Sequence, residues 1–405
     1  MRLSRLAQDA KPSSTLAIDE EYRARKARGE DVISLGAGQP DFPSPPAALA
    51  GGEEAIRSGR TRYTDVCGTE ELRAMIARKL KEENGLALTS QQVVVTAGAK
   101  QAIHHALCAL IDAGDGVLIP TPAWPSYAQM VRVLDGRVVP VPLSAADGWK
   151  LTVDGLMSAL SSAGGRADVL ILNQPANPTG ATYTSEELAR IAEVVRGEEI
   201  TVISDEIYER LVYDGPFTSF ATLPGMRGRT VTVNGFSKAF AMTGWRMGYA
   251  AGPAPLMAAM TAIQSHTAGN ACSVAQHAAL KALEAALEGP EGREPLETMK
   301  SAFRRRRDLV CRMLGEVPGV TFVRPGGAFY VWVDVSAHYG RPLAGGRVVR
   351  DSQEMASYLL DDAGVAVVPG RAFGDDRHIR LSFAASAEDL TVALKRIAKA
   401  LAAGT

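Results

Sequence analysis

The chain has 405 residues, 46% apolar and 22% charged, with 44 basic residues against 45 acidic ones and a formal net charge of −1. That length and apolar content suffice for a large domain plus a smaller one, while the balanced charge offers no basic face to nucleic acid or to an anionic membrane. Small metabolites are the expected partners. Cys67, Cys108, Cys272 and Cys311 are far apart in sequence and form no paired or ligand-spaced motif, so reduced thiols and no metal site are expected. The first residues, MRLSRLAQDAKPSS, lack the apolar run of a secretion signal. No stretch approaches the roughly 18 apolar residues of a membrane span, and the expected address is cytoplasmic.

From about residue 90 onward, short β-branched runs alternate with helical segments, the pattern of a mostly parallel sheet covered by helices. Strands are predicted over 93–96, 116–119, 169–173, 200–204, 230–233 and 247–251, with helices over 101–111 and 186–195 between them. Thr184 and Glu187 have the spacing of a capping box at the start of the second helix. The Glu-, Gly- and Pro-rich run 284–295 reads as a linker or exposed helix end. An amphipathic helix follows, and its RRRR run at 304–307 reads as a solvated face with at most one salt bridge. The strand-like GGAFYVWVDV, a helix over 353–363 and the apolar VAVVPG form a second α/β layer. The first 30 to 40 residues are too short and polar to fold alone and are expected to join it. Expected domains are 45–290, large, and 1–44 with 291–405, small.

In open parallel sheets ligands bind just beyond the carboxyl ends of the strands. Lys238 follows one strand in a turn of small residues, where desolvation lowers an amine's pKa and makes it nucleophilic. Arg246, eight residues on, is able to clamp a phosphate. Asp205 ends another strand and needs a partner, for which a protonated ring nitrogen is suitable. At 4 Å that attraction is on the order of 4 kcal/mol for an effective dielectric near 20. Tyr208 offers a hydroxyl nearby. Asn177 is presented by the rigid turn NQPANPTG, Gly98 and Ala99 open a helix whose amides suit a phosphate, and Trp124 lies between prolines as an aromatic plate. Taken singly, each has an ordinary reading as well: a solvated lysine, a helix N-cap, a self-bonded turn asparagine, a core tryptophan. His104 and His105 read as packing and surface.

Taken in order, GAGQPDF at 36–42, Tyr63, AGAKQA at 97–102, Trp124, NPTG at 177–180, SDEIY at 204–208, SKAFAMTGWRMGY at 237–249 and RLSF at 380–383 resemble the class I aminotransferases of pyridoxal-5'-phosphate (PLP) fold type I. The likeness spans nearly the whole chain and is nearest the bacterial aspartate branch, some of whose members accept prephenate. It implies a large domain with a mostly parallel seven-stranded sheet plus a smaller α/β domain. It also implies that Lys238 carries PLP covalently and moves the substrate proton. Asp205 would bind the ring nitrogen, Asn177 and Tyr208 the phenolic oxygen, and Trp124 would stack on the ring. Gly98, Ala99, Lys100, Ser237 and Arg246 would surround the phosphate, and Tyr63 would reach the partner's phosphate in a homodimer with shared sites. Arg380, with Gly38 and Asn177, would grip the substrate α-carboxylate.

A lysine placed like Lys100 would meet a distal carboxylate, with Lys11 and Thr15 near the same pocket. The implied substrates are therefore aspartate or glutamate with a 2-oxo acid. Gly235 stands where many relatives carry a serine, and Ala123 where the aspartate branch has a tyrosine. The alternatives on this scaffold are aminotransferases for alanine, aromatic, prephenate or specialised substrates, and C–S β-lyases. A PLP-binding regulator would need a DNA-binding domain ahead of GAGQP, where only about 35 residues stand.

Overall fold

The computed structural model describes residues 1–4, 14–164 and 167–402. Its strands are β1 (Ile33–Ser34), β2 (Val93–Thr96), β3 (Gly116–Thr121), β4 (Arg137–Pro142), β5 (Val169–Asn173), β6 (Thr201–Asp205), β7 (Thr230–Gly235), β8 (Gly248–Ala251), β9 (Thr321–Phe322), β10 (Tyr330–Asp334), β11 (Val365–Ala366), β12 (Val368–Pro369) and β13 (His378–Ser382). Seven of them form one sheet in the order β2-β8-β7-β6-β5-β3-β4. All its pairings are parallel except those of β8, which runs antiparallel to both β2 and β7. β2, β6 and β7 are almost wholly β-branched or apolar because helices cover both faces of the sheet and leave no solvent side. This is the α/β fold expected.

β4 escapes the sequence pattern. Its RVVPVP contains two prolines, which a central strand does not tolerate, and it lies at the sheet edge, paired only with β3. The capping box at Thr184 and Glu187 is formed as expected.

β12, β13, β10 and β9 make a second, antiparallel sheet. β1 pairs in parallel with β11, and Ile18 and Tyr22 of the helix Ser14–Ala27 pack with Val32, Leu360 and Ala366, so the N-terminal segment joins the C-terminal part of the chain. Phe303, Phe329, Tyr330, Tyr358 and Phe383 fill the core beneath.

Two expectations need correction. Of its two readings the run 284–295 loses the linker and keeps the exposed helix end: the helix Ser273–Glu288 ends and the helix Pro290–Gly315 begins with only Gly289 between them. Pro290 suits a first helical turn, whose N–H groups lack partners in any case. A Cβ on Gly292 would stand 2.0 Å from the Ala285 carbonyl oxygen, so glycine there permits a tight corner between the two helices. Nor is RRRR a solvated face. Arg304 and Arg305 are exposed, but Arg307 is 0% exposed and donates to Asp214 at 2.5 Å and to the Pro325 carbonyl at 3.2 Å, while Arg306 forks onto Asp41. The helix is gripped on more than one side, and a guanidinium buries readily when its donors are met.

Candidate active site

The carboxyl ends of β2, β5, β6 and β7 lie on one edge of the large sheet and deliver Gly98, Asn173, Asp205 and the turn to Lys238. β13 brings Arg380 to the same place, and the segment after β1 brings Gly36 and Gly38.

The Lys238 amine donates to the Gly38 carbonyl at 2.6 Å. Removal from water lowers its pKa to about 8, with Arg380, Arg246 and Lys100 adding to the effect and Asp205 opposing it. Three further cations and one carboxylate thus surround the amine, and the excess of positive charge suits an anionic ligand. Ser237, next to the lysine, is buried. Gly235 ends β7 so close to β8 that a Cβ would lie 2.8 Å from the Met247 carbonyl oxygen, which explains the absence of a serine.

Asp205 is 3% exposed, and burial raises its pKa to about 6. The Tyr127 hydroxyl donates to its Oδ2 at 2.5 Å, and the Ile207 N–H to Oδ1 at 3.2 Å. Asn173 donates to the Asp205 carbonyl at 3.0 Å and accepts from the Asn177 N–H at 2.8 Å, which ties the two loops together. The Tyr208 hydroxyl is 3.0 Å from that of Tyr330, and burial raises the pKa of both.

Arg380 is 3% exposed. It donates to Asn177 Oδ1 at 3.0 Å and to the Gly36 carbonyl at 2.9 Å, with its guanidinium 4.3 Å from the Tyr330 ring centre and 5.1 Å from that of Phe373. Its buried Nε has no partner among the described residues, an unmet donor of the kind an anion would satisfy.

Gly98 precedes the helix Ala99–Leu110 at φ +87, and a Cβ on it would stand 2.5 Å from Arg246 Nη2. A Cβ on Gly248 would meet the Ala99 nitrogen at 2.4 Å, so small residues let strand, turn and guanidinium close around the helix N-terminus. Arg246 is held by the Thr243 and Ala97 carbonyls at 3.2 and 3.3 Å. The Lys100 amine lies 4.9 Å from the Trp124 ring centre, and the surrounding protein, then Arg246, lower its pKa. Trp124 stands edge-on to Tyr127, ring centres 5.2 Å apart. These residues fit PLP: a cradle and cations for a phosphate, a buried acid for a ring nitrogen, and an amine beside them.

A family model described as "Aminotransferase class I and II" matches residues 30–397. The chain belongs to that family. It is 48% identical to a bifunctional aspartate aminotransferase and glutamate/aspartate-prephenate aminotransferase of Petunia hybrida over 98% of this chain and 82% of the relative. It is 47% identical to an aspartate/prephenate aminotransferase of Cereibacter sphaeroides over 96% of this chain and 95% of the other. Among solved structures, the Thermus thermophilus aspartate aminotransferase with maleate superposes with a TM-score of 0.91 at 39% identity, covering 99% of this chain and 100% of that one.

Within this aminotransferase the sequence-selected residues gather at one site, with one exception. Tyr63 is 97% exposed and is not hydrogen-bonded to the cluster among the described residues. Lys11 lies outside the described residues, and the Thr15 backbone is in the helix Ser14–Ala27. Tyr127, Asn173, Tyr330 and Phe373 were missed. The signal for Asn173 was available, since it ends a strand as Asp205 does. Among the described residues there is no cluster of metal-ligating side chains and no helix long and apolar enough to cross a membrane.

Proposed function

We propose that the enzyme binds PLP on Lys238 and transfers an amino group between aspartate or glutamate and a 2-oxo acid, in two half-reactions at one site. The observation that carries this reading is the gathering of Arg380, Arg246, Lys100 and buried Asp205 around the Lys238 amine, which donates to the Gly38 carbonyl and has a lowered pKa. Bound PLP would supply an electron sink for the bond made or broken at the substrate's α-carbon. Lys238 serves as its covalent anchor and then as the base that moves a proton, a role suited to a pKa near the working pH. Asp205 would keep the ring nitrogen protonated, Asn177 and Tyr208 would bind the phenolic oxygen, and Trp124 would stack on the ring. Gly98 and Ala99 amides, Ser237, Lys100 and Arg246 hold the phosphate. Arg380 forks the α-carboxylate with Gly38 and Asn177 beside it, which fixes the α-proton relative to Lys238.

The acidic substrate rests on Lys100, an exposed residue whose amine lies beside Trp124, and on the relatives' names. Prephenate as a second acceptor is favoured by those same names. Exposed Tyr63 supports a homodimer in which it completes the partner's phosphate site. The four unpaired cysteines support a cytoplasmic address.

Steady-state kinetics of Lys100→Ala test the substrate. With cofactor saturating, so that any weakening at the phosphate is common to all substrates, we expect kcat/KM for aspartate to fall about tenfold more than for alanine or phenylalanine, as loss of one charged contact does. An unchanged preference for aspartate over alanine would remove the acidic-substrate reading.

A further inference from the structure

Residues 36–41 cross the site as a strap anchored at both ends. At one end the Leu35 N–H donates to the Ala366 carbonyl at 2.8 Å, and its carbonyl accepts from the Ser382 N–H at 2.6 Å. At the other end both terminal nitrogens of Arg306 reach the Asp41 carboxylate, at 2.7 and 2.8 Å. The Arg306 guanidinium also lies 5.1 Å from the Phe42 ring centre and 5.7 Å from that of Phe303. The Arg306 side chain is 14% exposed and that of Asp41, an exposed residue, 29%. Two parallel bonds from a guanidinium packed near two rings hold their geometry better than a single-bonded surface ion pair does.

Between these anchors the strap gives two carbonyls to the site: Gly36 to Arg380 at 2.9 Å and Gly38 to Lys238 at 2.6 Å. Lys238 would give up its bond when its amine is engaged covalently, whereas Arg380 keeps Gly36 and has its unmet Nε for a carboxylate. Among the described residues the strap's other hydrogen bonds are those of Leu35, the Gly36 N–H to Ser34 Oγ at 3.3 Å, the Thr243 hydroxyl to Gln39 at 3.2 Å, and the Asp41–Arg306 fork. Of the connections beyond Gly38, the fork is the one made by opposite charges and two parallel bonds.

We infer that Asp41 and Arg306 form a positioning latch, which holds the strap so that Gly36 orients Arg380 and Gly38 borders the bound substrate. The pair touches no reacting atom, so it acts on substrate affinity more than on turnover. This inference rests on the assignment of Arg380 and Lys238 in the proposed function.

The test uses holoenzyme carrying Arg306→Gln, Asp41→Asn or both. The KM for amino acid and for 2-oxo acid should rise about tenfold in each single variant, with kcat within about twofold and the cofactor's near-visible absorption retained. Inhibition by maleate, an unreactive dicarboxylate, should weaken in parallel. The double variant should be no worse than the poorer single one, since both remove the same pair. Arg306→Lys, which keeps the charge without the fork, should fall between wild type and Arg306→Gln, and it carries the test if the glutamine variant does not fold. Unchanged KM and maleate inhibition, whatever happens to thermal stability, would overturn the latch. So would losses that multiply in the double variant. Arg380→Lys run alongside separates the two claims: raised KM there with none in the latch variants overturns the latch alone, and unchanged KM there overturns the carboxylate site as well.

Discussion

The acid proposed for the cofactor's ring nitrogen ought to weaken the empty protein. Burial moves Asp205 from 3.8 to about 6, and a shift of roughly 2 units at about 1.4 kcal/mol each is about 3 kcal/mol. Because the folded pKa lies above the unfolded one, no penalty exists below about pH 4, where both states are protonated. The penalty grows as pH rises to about 6 and is complete above that. Asp205→Asn preserves the shape and an acceptor for Tyr127 but removes the charge. It also leaves an amide where the Ile207 N–H had an acceptor, so the expected gain is about 1–3 kcal/mol. Glu206, raised to about 7 by burial, titrates in both proteins and cancels in the difference. Urea unfolding of cofactor-free enzyme from pH 4.5 to 8 should show the asparagine variant more stable above pH 6.5, with the two curves converging at the acidic end. The same variant should lose cofactor more readily on dialysis. Parallel curves, or a less stable variant at pH 8, would refute the argument that burial outweighs the hydrogen bonds and the Lys238 charge at Asp205 until its ligand arrives.

Tyr127→Phe removes the short hydrogen bond to Asp205, so cofactor retention should weaken roughly tenfold, the effect of losing a bond to a charged acceptor. Equilibrium titration of the cofactor-free variant measures it. Arg380→Ala leaves the α-carboxylate without its fork, and kcat/KM should fall on the order of a hundredfold or more for amino acids and 2-oxo acids alike, as steady-state assays with both substrate types would show.

The sequence revealed the site well because its chemistry is concentrated where strands end. Asp205, Asn177 and Lys238 each follow an apolar run, and that position marked them before any contact was visible. Tyr127 is different. It lies in the first turn of the helix Pro125–Val133, where a tyrosine is as ordinary as any packed residue, and only the three-dimensional register of that helix against β6 makes it the partner of Asp205. Arg306 and Arg307 were hidden by composition: four consecutive arginines look solvated, yet their acceptors, Asp41 and Asp214, are remote in sequence. The prolines of β4 and Pro290 of the helix Pro290–Gly315 likewise misled, since proline is disfavoured in strand and helix interiors but accepted at a sheet edge and in a first helical turn; Pro295 lies inside that helix, past its first turn.

The central claim is that Lys238 is the residue bonded to PLP. Borohydride reduction of enzyme incubated with PLP, followed by peptide mapping by mass spectrometry, should place one reduced cofactor adduct on the peptide containing Lys238, and Lys238→Ala should carry none. An adduct on another lysine, or the same labelling with and without Lys238, would contradict the account.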